Sequence, residues 1–353
     1  MSEQKSVENP AGTSLGMAGS TTPSDRPTSA LRRFLGSSAG RSFGLIIALG
    51  LIVAVGAITA GGRFTNFENF VTIIRFASII GVISVGVTFV ITAGGIDLSV
   101  GSVMGLATVV ASLSSVQAAA AQTTWLLMAV VAIAVGGLAG LVNGIVIAYG
   151  RVVPFMATLA MLVGARGLAE LISNKQTQIV TVPDFLTFFR GDLFGIPVLI
   201  WMFVVVAIIG WFLLARTTFG RRTVAIGGNF EASRLAGLKV KRHVVALYVL
   251  TGLAAGIAAV MMLGRTTAGT STHGELYELD AIAAVVVGGT LLVGGRGTIV
   301  GTVFGVLIFS TLTNVFTQNN LSTSVQAVSK GVIIVVAVLL QQRFAARGSR
   351  SSG

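Results

Sequence analysis

The chain has 353 residues, of which 54% are hydrophobic and only 10% charged, with a mean hydropathy of +0.90. A soluble domain carries roughly a quarter charged residues, so this composition excludes an ordinary water-soluble fold. The absence of cysteine and the presence of only His243 and His273 exclude disulfides, thiol chemistry and a histidine metal cluster, and no metal site is expected.

In chain order, residues 1–42 are rich in Ser, Thr, Gly and Pro and are expected to form a disordered cytoplasmic tail. The first apolar run begins only near Phe43, too late for a cleaved signal peptide. The apolar runs that follow reach about 18 residues or more, enough to cross a hydrocarbon core of ~30 Å as helix. They predict an all-α integral membrane protein with about ten transmembrane helices, at 43–61, 70–93, 98–115, 125–148, 153–172, 196–214, 244–263, 281–293, 299–318 and 325–341. Two of these are irregular: 98–115 opens in a Gly-rich polar turn and 281–293 is short, so both are candidates for broken or re-entrant helices shielded from lipid by protein. The 45 glycines suit helices that approach closely in a bilayer. A transmembrane domain over 43–341 and a cytoplasmic tail over 342–353 complete the organisation.

The net charge of +12 resembles a nucleic-acid footprint until its distribution is read. Segment 215–243 holds Arg216, Arg221, Arg222, Arg234, Lys239, Lys241 and Arg242 against one acid, Glu231, and the C-terminal tail adds Arg343, Arg347 and Arg350. Lys and Arg mark cytoplasmic loops, so this loop and both termini are expected inside and no nucleic acid is expected as a partner. Within the loop, Asn229 is an N-cap, Glu231 lies at the positive end of the helix dipole and Gly237 is a C-cap, which predicts a helix of about two turns. So short a helix must dock on something; composition leaves a partner protein and the anionic lipid surface both open.

Two segments echo each other 200 residues apart: Gly94-Gly95-Ile96-Asp97-Leu98-Ser99-Val100-Gly101-Ser102-Val103-Met104-Gly105 and Gly294-Gly295-Arg296-Gly297-Thr298-Ile299-Val300-Gly301-Thr302-Val303-Phe304-Gly305. Each follows one apolar run and opens the next, and Gly-interrupted helices at matching places in two halves point to the moving core of a transporter. Pathway or helix-break candidates are therefore Asp97, Ser99, Gly101, Ser102, Gly301 and Thr302, with the intramembrane amides Asn143 and Asn314 either lining a pathway or joining helices. Asp97 reads first as structural, with Asp97 or Ser99 capping a helix that starts at Leu98, and substrate contact is the alternative. Arg75 and Lys330 are expected to snorkel outward and Arg166 to pair with Glu170. The outer stretch with His273, Glu275, Tyr277, Glu278 and Asp280 is expected to be solvated, with docking of a binding protein as the alternative.

The run Thr92-Ala93-Gly94-Gly95-Ile96-Asp97-Leu98-Ser99-Val100-Gly101-Ser102 resembles a signature of inner-membrane permeases of monosaccharide ABC importers, the ribose/xylose/galactose type. Gly227-Gly228-Asn229 through Gly237-Leu238 resembles the coupling loop of that family, and Glu278 to Val285, Gly288-Gly289-Thr290 and Gly294 to Gly297 resemble a third stretch, in the family's order. Ser233, where alanine is usual, and the long polar tail depart from the pattern. The resemblance implies a type II-like permease fold in the inner (cytoplasmic) membrane, a second permease copy, identical or sister, and an extracytoplasmic sugar-binding protein. It also implies a tandem ATPase that grips Gly228, Asn229, Glu231, Ala232, Leu235, Ala236 and Gly237. No phosphate-binding G-x-x-x-x-G-K-(S/T) loop exists in the chain, so no cofactor is expected in it and ATP with Mg²⁺ belongs to the ATPase. An ion-coupled secondary transporter would be expected to bury more carboxylates, and an intramembrane enzyme lacks a nucleophile with a base.

Overall fold

A computed structural model describes residues 38–349. Most of it is helix: α1 (Ser38–Ala60), α2 (Gly62–Thr65), α3 (Phe67–Thr92), α4 (Val100–Ala111), α5 (Ser114–Gln122), α6 (Leu126–Ala148), α7 (Pro154–Ser173), α8 (Pro183–Arg190), α9 (Val198–Arg216), α10 (Thr218–Gly228), α11 (Phe230–Leu235), α12 (Val240–Thr266), α13 (Tyr277–Val287), α14 (Ile299–Gln318) and α15 (Thr323–Ser349). Two-residue strands β1 (Gln178–Ile179) and β4 (Ala268–Gly269) pair antiparallel, as do β2 (Asp192–Leu193) and β3 (Ile196–Pro197).

Among the described residues, seven helices are long and apolar enough to span a bilayer: α1 from Phe43, α3, α6, α7, α9, α12 and α14. The stretch expected at 98–115 is a pair, α4 and α5, bent by 59° at Ser112 and Leu113, and counts as an eighth span if taken whole. Expected span 281–293 is instead the 11-residue α13, which stops at Val287 before Gly288 and Gly289. At 1.5 Å per residue it covers only about half a hydrocarbon core. The last expected span, 325–341, lies inside α15. The tail expected as disordered over 1–42 lies outside the described residues up to 37, and α1 already begins at Ser38.

The core is built on α3, which packs against α9, α12, α13 and α14. The tightest helix pair is α6 with α12, because Gly136, Gly140 and Gly144 recur every four residues on one face of α6 and meet the backbone of α12 at Gly252, Tyr248 and Val245. A Cβ at Gly144 would lie 2.7 Å from Val245 Cα, so only glycine permits this approach. In lipid, where no hydrophobic force drives helices together, such close backbone packing is the main source of association.

Charged groups were expected in simpler arrangements. Lys330 does not snorkel: its Nζ donates to both carboxylate oxygens of Asp280, at 2.9 and 3.1 Å, with both side chains largely covered. Arg166 and Glu170 do not form an ion pair. The Arg166 guanidinium donates to the carbonyls of Ser271 and His273, while Glu170 pairs with Lys175 at 3.4 Å. Nor is the acidic stretch simply solvated. Glu275 is exposed, but Glu278 is 8% exposed and lies against Gly101. The loop before α13 folds back onto α4, and burial, reinforced by Arg265 and Arg166, lowers the His273 imidazole to about 4, leaving it neutral at pH 7.

Candidate functional site

The predicted site residues separate into three places. The first is the unwound segment between α3 and α4. Here Asp97, 2% exposed, accepts hydrogen bonds from the backbone N–H of Ser99 at 2.9 Å and from its hydroxyl at 2.6 Å. Asn143 on α6 donates to the Ser99 hydroxyl at 2.9 Å, making a relay Asn143–Ser99–Asp97. The local reason is that a short carboxylate bonds the backbone two residues on. Tyr248 and Thr158 both reach the Ile96 carbonyl, so three helices hold the segment. Helix α4 then starts at Val100, and Gly101 and Ser102 are buried in its first turn.

The second place is a junction of glycines at the Thr92 end of α3. The Gly295 N–H donates to the Thr92 carbonyl at 2.9 Å, so the two echoing breaks touch each other. Gly94 and Gly294 have φ of +82° and +85°, and a Cβ on Gly294 would lie 2.9 Å from Gly94 Cα. Gly227, in the last turn of α10, packs on the Thr92 carbonyl and the Gly295 nitrogen. Gly301 lies on the Gly288 carbonyl, and the Thr302 and Thr88 hydroxyls are 2.8 Å apart, tying α14 to α3. Only backbone without side chains allows three segments to meet this closely. Beside the junction lies a cleft of about 710 Å³ whose walls include Arg151, Phe230, Arg234 and Lys241.

From this junction α11 projects outward. The Asn229 carboxamide accepts from the Ala232 N–H at 2.9 Å, completing the expected N-cap. At the other end the Leu238 N–H reaches the Ser233 carbonyl and the Gly237 N–H reaches that of Arg234, with Gly237 at φ +80°. This doubly bonded C-terminal cap explains why a helix of six residues holds its shape. Gly228, Asn229, Glu231, Ala232, Leu235, Ala236 and Gly237 are all exposed, and Ser233 is the one buried residue of α11. Phe230 and Leu235 stand 49% and 80% exposed, an apolar surface left uncovered by the described residues.

The third place is at the opposite end of α3, where Asn314 is found, far from the other candidates along α14. Asn69 and Asn314 exchange carboxamide hydrogen bonds of 2.8 and 3.0 Å, and Gln318 donates to Asn69 at 2.8 Å. They form part of the wall of a cavity of about 540 Å³. The sequence reading singled out Asn314 alone. The missed signal was its helical spacing with Ser310, Thr313, Thr317 and Gln318, a polar face on an otherwise apolar span. Gly227 was also missed as a site residue, because nothing local distinguishes it from Gly228.

Long apolar helices, two helix breaks in contact and a capped helix exposed beyond them define a multi-pass membrane transport protein. A family described as branched-chain amino acid transport system / permease component matches residues 69–339, and the chain belongs to it. It is 43% identical over 269 residues to the ribose import permease protein RbsC of Bacillus subtilis (strain 168), covering 74% of this chain and 81% of that protein. It is 38% identical over 267 residues to the RbsC of Escherichia coli (strain K12), with 74% and 82% covered. To the L-arabinose transport system permease protein AraH of the same strain it is 36% identical over 266 residues, with 74% and 79% covered. No solved structure matches this chain. The chain is thus a permease subunit, a transport component and not an enzyme.

Proposed function

We propose that this permease subunit carries a monosaccharide inward across the cytoplasmic membrane as part of an ATP-driven importer. Its relatives are named for ribose and L-arabinose. That supports sugar over the amino acids in the family's description. In this reading ten membrane segments form the pathway, counting the bent pair α4–α5, the half-helix α13 and α15, and both termini are cytoplasmic. A second permease copy faces the first, and an extracytoplasmic sugar-binding protein delivers the sugar. A tandem ATPase, carrying ATP and Mg²⁺, grips the α11 tip from Gly228 to Gly237.

The observation that carries the reading is the contact between α10–α11 and the helix breaks. Gly227 rests on the Thr92 carbonyl and on Gly295, so displacement of the tip acts at once on the end of α3 and on the turn before α14. ATP-driven movement of the tip then shifts the Gly94–Gly105 and Gly294–Gly305 breaks against each other. The relay through Asp97, Ser99 and Asn143 keeps the first break in one shape while it moves. A bistable packing of this kind is how small shifts become global ones.

The test is gentle affinity purification from native membranes, with identification of the bound proteins. Recovery of a tandem ATPase, lost with Leu235→Asp while the permease remains folded, is the expected result. A chain that purifies alone and transports sugar in vesicles without ATP would overturn the reading.

A further inference from the structure

The 540 Å³ cavity at the Phe67 end of α3 is not used by the coupling argument. Its size is in the range of small-molecule sites, roughly 300–1,000 Å³. One wall is the face of α14 carrying Ser310, Thr313, Asn314 and Thr317; the facing wall on α3 includes Thr72 and Phe76, and Tyr277 of α13 closes a third side. Short hydroxyl and amide groups next to aromatic rings are what a molecule with many hydroxyls on a compact carbon frame requires.

Ser310 carries the most information. Thr72, Thr313 and Thr317, on the same walls, each donate to the carbonyl four residues earlier, at 2.9 Å. Ser310 is 7% exposed and borders the cavity, and its hydroxyl is covered and makes no hydrogen bond to any described residue. A covered hydroxyl without a partner is unfavourable, and rotation of the short Ser310 side chain toward the cavity would let a ligand hydroxyl relieve this.

Charge sets the ligand class. The ionisable groups of the cavity, apart from Tyr277, are Arg63, Lys330, Glu68 and Asp280, whose formal charges cancel. The two deeper ones, Lys330 and Asp280, already neutralise each other at 2.9 Å. A zwitterionic amino acid would find no unpaired deep charge to meet its ammonium or carboxylate, whereas a neutral polyol needs none.

We infer that this cavity is a transit site for a neutral monosaccharide, held within one permease chain by Ser310 and the polar face of α14. The site rests on the sugar-permease reading above and adds where the sugar pauses. It also means that the permease itself, not only the protein that delivers the sugar, selects against charged solutes.

Because the chain contains no cysteine, Ser310→Cys provides a single thiol of nearly the same shape. The variant, purified with its ATPase in lipid nanodiscs, is treated with a small charged methanethiosulfonate and the modification rate is measured. D-ribose or L-arabinose at about twice its dissociation constant should slow the reaction roughly threefold by mass action. L-leucine should not slow it, and Thr272→Cys, at an exposed position, should react at a sugar-independent rate. Thr313→Cys, one turn along the same wall, gives the same readout if Ser310→Cys fails to fold. A thiol that neither variant allows to react, an equal rate with every sugar, or protection by leucine alone would each overturn the inference. ATP-dependent uptake by the reconstituted variant separates the two claims: intact uptake without protection sinks the transit site alone. Absence of uptake of any sugar by the unmodified importer sinks the reading on which it rests.

Discussion

The two ends of α3 solve opposite problems with opposite chemistry. At Thr92 three segments meet through glycine backbone and carbonyls, with no room for a Cβ at Gly227 or Gly294. At Phe67 polar and aromatic side chains of the neighbouring helices line an open volume of about 540 Å³. A close-packed contact transmits displacement, because interiors at crystal-like density have few states between two packings. An open cavity with polar walls accommodates a solute and tolerates change. The one helix therefore couples a stiff end to a permissive one, and substitutions at the two ends should behave differently.

The largest effect is expected at the stiff end. Gly227→Val drives two methyl groups into the Thr92 carbonyl and the Gly295 nitrogen, and overpacking of backbone on both sides should destabilise by about 3 kcal/mol. Sugar uptake should vanish, with the melting temperature of the purified permease falling; normal uptake would remove the junction from the coupling path. At the permissive end the most sensitive feature is the ion pair. Asp280→Asn leaves the Lys330 ammonium largely covered and unpaired, at roughly 2–3 kcal/mol, somewhat below the cost for a fully buried pair. The exchange Asp280→Lys with Lys330→Asp should recover most of the lost thermal stability, and failure to do so would mean that the carboxylate has a further role.

A smaller effect is expected for Asn229→Ala, which removes the cap of α11 at about 1 kcal/mol. Because α11 is exposed, the melting temperature should barely move while ATPase co-purification weakens roughly fivefold; unchanged co-purification would show that the tip does not need its cap. Smallest of all is Ser310→Ala. Its hydroxyl has no hydrogen bond to lose among the described residues, so stability should stay within about 0.5 kcal/mol. A clear destabilisation by calorimetry would reveal a partner for that hydroxyl inside the protein and weaken the transit site.

Local signals were read correctly where the physics is local. Asn229 and Gly237 bracket α11 because a carboxamide acceptor and a left-handed glycine satisfy backbone groups within a few residues of themselves. The irregularity of 98–115 and 281–293 was visible for the same reason: Gly-rich turns and short apolar runs act within one or two turns. Of the roughly ten expected spans, seven helices among the described residues are long and apolar enough to cross, or eight with the bent pair; hydropathy marked 281–293 as short but did not place its end at Val287. Partner choice among charged residues also escaped. Spacing of four residues suggested Arg166 with Glu170, but the loop before α13 brings carbonyls to the guanidinium, and those lie more than 100 residues away.

Composition, apolar run length and the placement of Lys and Arg thus determined on their own that this is a helical membrane protein, and its motifs pointed to the permease family. Each of these rests on interactions with lipid or with near neighbours in the chain, which one dimension records. Only the tertiary structure decided that Gly94, Gly227 and Gly294 meet, that Lys330 finds Asp280, and that Ser310 opens on a cavity. Those facts depend on helices distant in sequence approaching to within a few ångströms, and close approach depends on the shape of both partners at once.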